Sequence, residues 1–285
     1  MSNSLVTPSL DTPATLRVDG VRWIARARKL LLPLASVISS IALWHFLATR
    51  HVPLGFITFA NVPPPLEVLR AALDLLVSPK LRQHLLSSLT RIGVGFFLAA
   101  FIGIAFGLII GRFANARALL LPPLEIIRPI PAVAWIPLAI LMFPSSEASM
   151  IFITFVGAVF PILLNTIHGV ENVDPRLIAS ARSLGTREWR LFGEVILPSS
   201  APAIITGLSI GMGTCWFCLV TAEMISGQFG IGYYTWESYT VQNYANIVVG
   251  MLLIGALGMG SSALIRNIGY WLMPWHRIAN REDSQ

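Results

Sequence analysis

Windows of about twenty residues that hold almost no charge limit this chain's fold more than any other feature, because that is the length a helix needs to cross a bilayer. Residues 30–48 and 92–111 contain no Asp, Glu, Lys or Arg. In hydrocarbon every backbone N–H and C=O must be satisfied within the protein, so only helices or closed barrels can span it. Barrel strands would alternate with period two and read as less apolar. The composition agrees: 55% of the 285 residues are hydrophobic and 12% are charged, about half the charge of a soluble domain, and the mean hydropathy is +0.71. The expected fold class is an all-α membrane protein with about six transmembrane helices.

Membrane helices are expected near residues 30–49, 92–111, 118–143, 148–168, 199–224 and 246–271. Residues 1–20 read as a polar, Pro/Ser/Thr-rich tail. The lead-in VRWIARARKL carries Arg22, Arg26, Arg28 and Lys29, which by the positive-inside rule stay in the cytoplasm. The apolar run after it starts too far from Met1 and is too long for a cleaved signal peptide, so it reads as a retained first helix. Six crossings place both termini in the cytoplasm, together with Arg112, Arg117, Arg277 and Arg281. The segments 144–147 and 225–245 fall outside and contain no Lys or Arg. Segment 50–91 is also expected outside, despite Arg50, Arg70, Lys80, Arg82 and Arg91. Its middle, PLEVLRAALDLLV, puts Leu66, Leu69, Leu73 and Leu76 on one helical face, a pattern for a helix lying in the interface or against the bundle.

Glycines recur at helix-contact spacing, Gly103, Gly107 and Gly111 in one helix and Gly207 and Gly211 in another, which lets backbones approach closely. Pro122, Pro123, Pro129, Pro131 and Pro137 should break or kink the third helix. Irregular backbone at that depth survives where it is buried or lines a water-filled path.

Several chemistries are excluded or weak. There is no phosphate-cradling GxxxxGK[ST], so this chain is no P-loop ATPase. The histidines are scattered, with no metal-ligand spacing, and no metal or cofactor is expected. The +6 net charge sits in short polar segments without aromatic interleaving, so no nucleic-acid partner is expected. Cys215 and Cys218 form a CxxC in the middle of an apolar helix, where packing is the plainer reading than redox chemistry. Glu125 and Arg128 stand three apart on the broken helix and can pair on one face. Two readings remain open: a structural ion pair, or a path for an anion past Arg128, with Glu223 near the outer end of the fifth helix as a further candidate. No other basic residue is expected so deep.

One polar island stands between long apolar runs: ASARSLGTREWRLFGEVILP, residues 179–198. Upstream, Asp174-Pro175 is a helix start, an N-cap followed by proline. Leu177, Ile178, Ala181 and Leu184 fall on one face, Gly185 interrupts, Thr186 is placed to cap a second helix, and Trp189 and Phe192 share a face of it. The result is a pair of short amphipathic helices, either a membrane-surface hairpin or a docking knob.

ASARSLG, nine residues, then VILP resembles the EAA motif of bacterial ABC importer permeases, E-A-A-x3-G-x9-I-x-L-P. Ala181, Gly185, Leu197 and Pro198 match, while Ala179 stands where the family usually has glutamate. SSLTRIGVGFFLAAFIGIAFGLIIG, RPIPAVAWIPLAI and TAEMISGQFGIGYY resemble the nitrate/sulfonate/taurine/bicarbonate branch. The resemblance implies a type I ABC importer permease fold. Its parts would be a tail and lead-in at 1–29, the first helix and start of the external segment at 30–61, a permease core at 62–277 with the coupling segment at 174–198, and a tail at 278–285. It implies that Ala179, Ala181, Gly185, Trp189, Phe192, Leu197 and Pro198 couple to an ATPase, and that ATP and Mg are bound by that partner. It also implies a second copy of the chain, two ATP-binding cassette subunits, an external or periplasmic binding protein, membrane lipid around the helices, and a bacterial inner-membrane location. The solute would be a small anion or zwitterion, and the chain itself no enzyme. A secondary transporter would show internal repeats and ionisable relays, and an intramembrane redox protein would need more than one CxxC.

Overall fold

The computed structural model describes residues 16–51, 53–55, 57–227 and 229–275. The described residues form two compact units, one ending at Glu67 and the other beginning at Val68. The tail residues 1–15 and 276–285, with Arg277 and Arg281, lie outside the described residues.

In the first unit, α1 runs Leu16–Thr49 and is followed by two short antiparallel strands, β1 (Pro53–Leu54) and β2 (Ile57–Thr58), with Leu54 opposite Ile57. Trp44 donates its indole N–H to the Pro63 carbonyl at 3.1 Å, tying the helix to the chain that leaves the strands. The side chains of α1 from Leu31 to Phe46 are mostly exposed, as a lipid-facing helix requires.

The helix α2 (Pro65–Val77) crosses the boundary between the units. Its leucine face, Leu66, Leu69, Leu73 and Leu76, is exposed, while Val68 and Leu75 are buried. The leucines therefore do not pack on the bundle, and their face suits a lipid interface.

The second unit is an all-helical bundle: α3 (Pro79–Arg112), α4 (Ala114–Ile127), a 3-10 turn at Ala132–Trp135, α5 (Ile136–Met142) and α6 (Ser146–Glu171). After these come α7 (Pro175–Ser183), α8 (Glu188–Arg190), a π turn at Leu191–Ile196, α9 (Leu197–Ser226), α10 (Ile231–Thr240) and α11 (Tyr244–Leu272). Among the described residues five helices are long and apolar enough to cross a membrane, and the pair Ala114–Ile127 and Ala132–Met142, bent by 81°, is apolar enough to be a broken sixth span or a re-entrant loop. Five of the six expected spans coincide with these helices, and the third with the bent pair. The second span starts earlier than expected, at Pro79, so Lys80, Arg82 and Arg91 belong to α3 and not to a loop before it.

At the centre stands α6, because glycines of two neighbours open their backbones to it. A Cβ on Gly107 would lie 2.6 Å from the Cβ of Thr166, and one on Gly111 would lie 2.8 Å from that of Val170. Gly207 and Gly211 meet Asn165 and Ile162 in the same way from α9. The core around these contacts includes Phe96, Ile153, Ile162, Cys215, Trp216 and Leu219. Both cysteines are packing groups: the Cys215 thiol lies 3.5 Å from the Thr154 carbonyl, and Cys218 fills the space that Gly157 leaves.

Candidate functional site

The polar island projects from the end of the bundle where α6 finishes and α9 begins. Asp174 Oδ1 accepts from the Arg176 N–H at 2.8 Å and starts α7, with Pro175 in the first turn. The helix ends in a Schellman turn, in which Gly185 N–H donates to Arg182 O at 2.9 Å and Thr186 N–H donates to Ala181 O at 3.1 Å. Gly185 has φ +75°, a conformation in which a Cβ is strained even though nothing lies within 4 Å. Thr186 is not the cap of the next helix. That position is Arg187, which makes no side-chain cap bond, because the threonine's backbone is spent on the Schellman turn.

The expected common apolar face divides in two. Ile178, Ala181, Phe192 and Val195 pack on Val170, Val173, Leu191 and Ile196, fixing the island to its own bundle. Leu177, Leu184 and Trp189 point away and are 51%, 86% and 65% exposed. The Arg190 guanidinium stacks over the Trp189 ring at 5.1 Å, and Ala179 is exposed on α7. Glu188 holds the island in register, meeting Arg112 at 2.5 Å and Arg182 at 3.1 Å. From Glu188 to Ser226 the helix is continuous through the π turn, so a force at Trp189 has a rigid path to the other end. Leu197 is partly exposed and Pro198 half-buried, within the first turn of α9.

The prolines break the third span where expected. Between Arg128 and Ala132 the backbone leaves the helix, and the break lines a cavity of about 410 Å³. Arg128, Asn165, His168 and Thr214 are its polar wall. The expected Glu125–Arg128 pair does not form: both side chains are exposed, and Arg128 has no salt bridge among the described residues. Arg128 caps α4 with helical backbone, its N–H still bonded to Leu124 O, and its side chain lines the cavity at the break.

Arg128 is also not the deepest basic residue. Arg91 is 1% exposed, with its guanidinium between two carboxylates, Glu147 at 2.5 Å and Glu223 at 2.8 Å. A third bond goes to the Phe229 carbonyl. Glu223 is wholly buried and also accepts from Ser88 Oγ at 2.7 Å and the Gly232 N–H at 2.9 Å. Gly230 N–H donates to His84 Nδ1 at 3.1 Å, and a Cβ at Gly230 would collide with the Glu223 carboxylate. This cluster staples α3, α6 and α9 to the turn before α10, at the end opposite the island. Every oxygen of Glu223 is occupied by a protein group, which makes it a structural anchor. Spacing could not have shown it, since Arg91 meets residues 56 and 132 positions away.

Residues 103–277 match the family described as binding-protein-dependent transport system inner membrane component. The chain is 32% identical over 268 residues to a putative ABC transporter permease protein of Methanocaldococcus jannaschii, covering 91% of this chain and 97% of that one. It is 30% identical to a bicarbonate transport system permease protein of Synechococcus elongatus, over 89% of this chain and 92% of that one. A nitrate import permease protein of Synechocystis is 31% identical, over 81% of this chain and 85% of its own length.

Proposed function

We propose a transport role from one premise: the chain belongs to the binding-protein-dependent transport system inner membrane components, as a multi-pass permease subunit of an ABC transporter. It is no enzyme; hydrolysis of ATP with Mg belongs to a partner subunit. The role is import of a small anion or zwitterion, in the class of nitrate, bicarbonate or an organosulfonate, by alternating access. Relatives named for bicarbonate and nitrate support the anion class.

In this reading the island faces the cytoplasm of a bacterial cell, as do both termini, and its exposed face docks in an ATPase. The observation that carries the reading is the triad Leu177, Leu184 and Trp189, exposed on a segment whose other face is anchored. Ala179, Ala181, Gly185, Trp189, Phe192, Leu197 and Pro198 form the coupling segment: Gly185 sets its bend, Phe192 and Ala181 fix it to the bundle, and Trp189 meets the ATPase. The π turn at Leu191–Ile196 joins this knob to α9, so closure of an ATPase pair would move α9 as a lever. Ala179 removes one carboxylate from that contact and leaves the apolar part intact. Two copies of the chain, two ATPases and an external binding protein complete the machine, with the solute arriving at the α10 end.

For the path itself, Arg128 at the break, without a salt bridge among the described residues, offers a planar donor array to an anion crossing the cavity. Glu125, exposed one turn before Arg128, would repel an anion and so keep it toward the arginine side, and Glu223 holds the outer turn in place.

The test is uptake of labelled nitrate and bicarbonate by vesicles holding the chain with its ATPase and binding protein. Uptake that requires Mg-ATP on the ATPase side is expected; uptake without ATP would overturn the assignment. Orientation is read by labelling single cysteines in intact cells. A cysteine at Val241, 69% exposed, should react from outside and one at Arg187 should not.

A further inference from the structure

Between α9 and α11, at the same end of the bundle as the island, lies a second cavity, of about 280 Å³. Its wall holds Pro202, Thr206 and Ser209 of α9 and Arg266 and Tyr270 of α11. Arg266 is the one charged residue in the 29-residue sequence of α11. It is exposed, and it makes no salt bridge or side-chain hydrogen bond among the described residues. An arginine inside a span calls for a partner, in the protein or outside it.

Depth identifies what that partner is. Arg266 lies six residues before the end of α11 at Leu272, about 9 Å along a helix, within reach of the headgroup layer for a side chain that snorkels. Tyr270 is one turn further out, and Trp271 and Trp275, 78% and 49% exposed, mark the aromatic belt at that level. Above the cavity the two helices are closed together. Ser262 Oγ donates to the Ser209 carbonyl at 3.3 Å, and Ser209 Oγ to the Ser262 carbonyl at 3.4 Å. On the outer side Gly269 admits Ile205 so closely that any Cβ would collide with it. The result is a cleft closed on its inner side by the Ser209–Ser262 contacts, whose guanidinium and phenol have no side-chain hydrogen-bond partner among the described residues.

We infer that this cleft binds the phosphate of an anionic phospholipid, Arg266 supplying the charge and Tyr270 a second donor. A basic pocket between membrane helices at the cytoplasmic face is a recurrent headgroup site. The bound lipid fills a wedge between α9 and α11, the former being the helix that continues from the island. Lipid binding here does not depend on which solute the chain carries.

The experiment is native mass spectrometry of the intact membrane complex in mild detergent, titrated with equal phosphatidylglycerol and phosphatidylcholine. The parent should retain phosphatidylglycerol preferentially, and Arg266→Gln should weaken that retention about fivefold without changing the subunit composition. Millimolar inorganic phosphate should not displace the lipid. Equal retention of the two lipids by the parent, unchanged preference in Arg266→Gln, or displacement by phosphate would overturn the site. So would a change of oligomeric state in Arg266→Gln, which would make the cleft an interface between copies. On the unaltered protein, phosphatidylglycerol with a photoreactive headgroup should label residues 202–209 and 266–273. Labelling confined elsewhere would contradict the proposal even if the variant failed to accumulate.

Discussion

At one end of the bundle Arg91, Glu147, Glu223, Ser88 and His84 satisfy one another and the turn before α10. At the other end Leu177, Leu184 and Trp189 lie open, and the charges beside them meet in partly exposed pairs such as Arg112–Glu188. The first end is complete within one chain, so its residues should govern stability. The second is complete only when something covers it, so its residues should govern assembly. The same residue types, Arg and Glu, therefore do different work according to burial: sealed from water an ion pair must be whole, and at the surface it contributes little.

The largest effect expected from breaking this contrast is at Arg91. Arg91→Met leaves Glu223 buried without its cation and should cost about 3–5 kcal/mol, read as loss of folded protein in thermal unfolding in detergent. Adding Glu223→Gln should restore most of it, since the amide oxygen can still accept from the Gly232 N–H while the amide NH2 donates to the Ser88 hydroxyl. If the double variant were as unstable as the single one, the charge account of this end would be wrong.

At the open end Gly185 and Gly193 form a matched pair. Neither has an atom within 4 Å of the place a Cβ would take, but only Gly185 has positive φ. Gly185→Ala should cost about 1–2 kcal/mol through backbone strain and weaken ATPase retention. Gly193→Ala, in a helical stretch, should be neutral or stabilising by about 0.5–1 kcal/mol. Equal effects of the two on complex yield would remove the Schellman turn from the account.

Arg128 has no salt-bridge partner among the described residues, so Arg128→Met should change the melting temperature little while lowering anion uptake, and Arg128→Lys should recover part of it. A large loss of stability would make it structural after all. The smallest effect should come from Arg112→Ala. Its pair with Glu188 is partly exposed on the arginine side and exposed on the glutamate side and is worth about 0–1 kcal/mol, measurable as a slight shift in melting.

Much of this contrast could be read from the chain alone, wherever the information was local. Charge-free windows gave the spans, Pro129 and Pro131 the break, and Asp174-Pro175 with Gly185 the bend of the island. What failed was pairing. The three-residue spacing of Glu125 and Arg128 invited an ion pair, but both side chains are exposed and no such pair forms among the described residues. The lock at Arg91 depends on which helices become neighbours, a decision made by Gly95 and Gly107 against α6, and no spacing rule reaches from residue 91 to residue 223. Arg266 was hidden for another reason. Its helix is otherwise so apolar that the segment reads as a plain span, and only the cleft beside α9 shows that the charge has a place to go.

The central claim is that the open end is a dock and the closed end is not, and Trp189 tests it most directly. Its side chain is 65% exposed, so Trp189→Asp should leave the melting temperature of the isolated subunit unchanged. The measurement is the ratio of ATPase to permease recovered when the tagged chain is purified from membranes. The account predicts that this ratio collapses in Trp189→Asp and survives in Trp189→Phe. A Trp189→Asp subunit that kept its full complement of ATPase would contradict it.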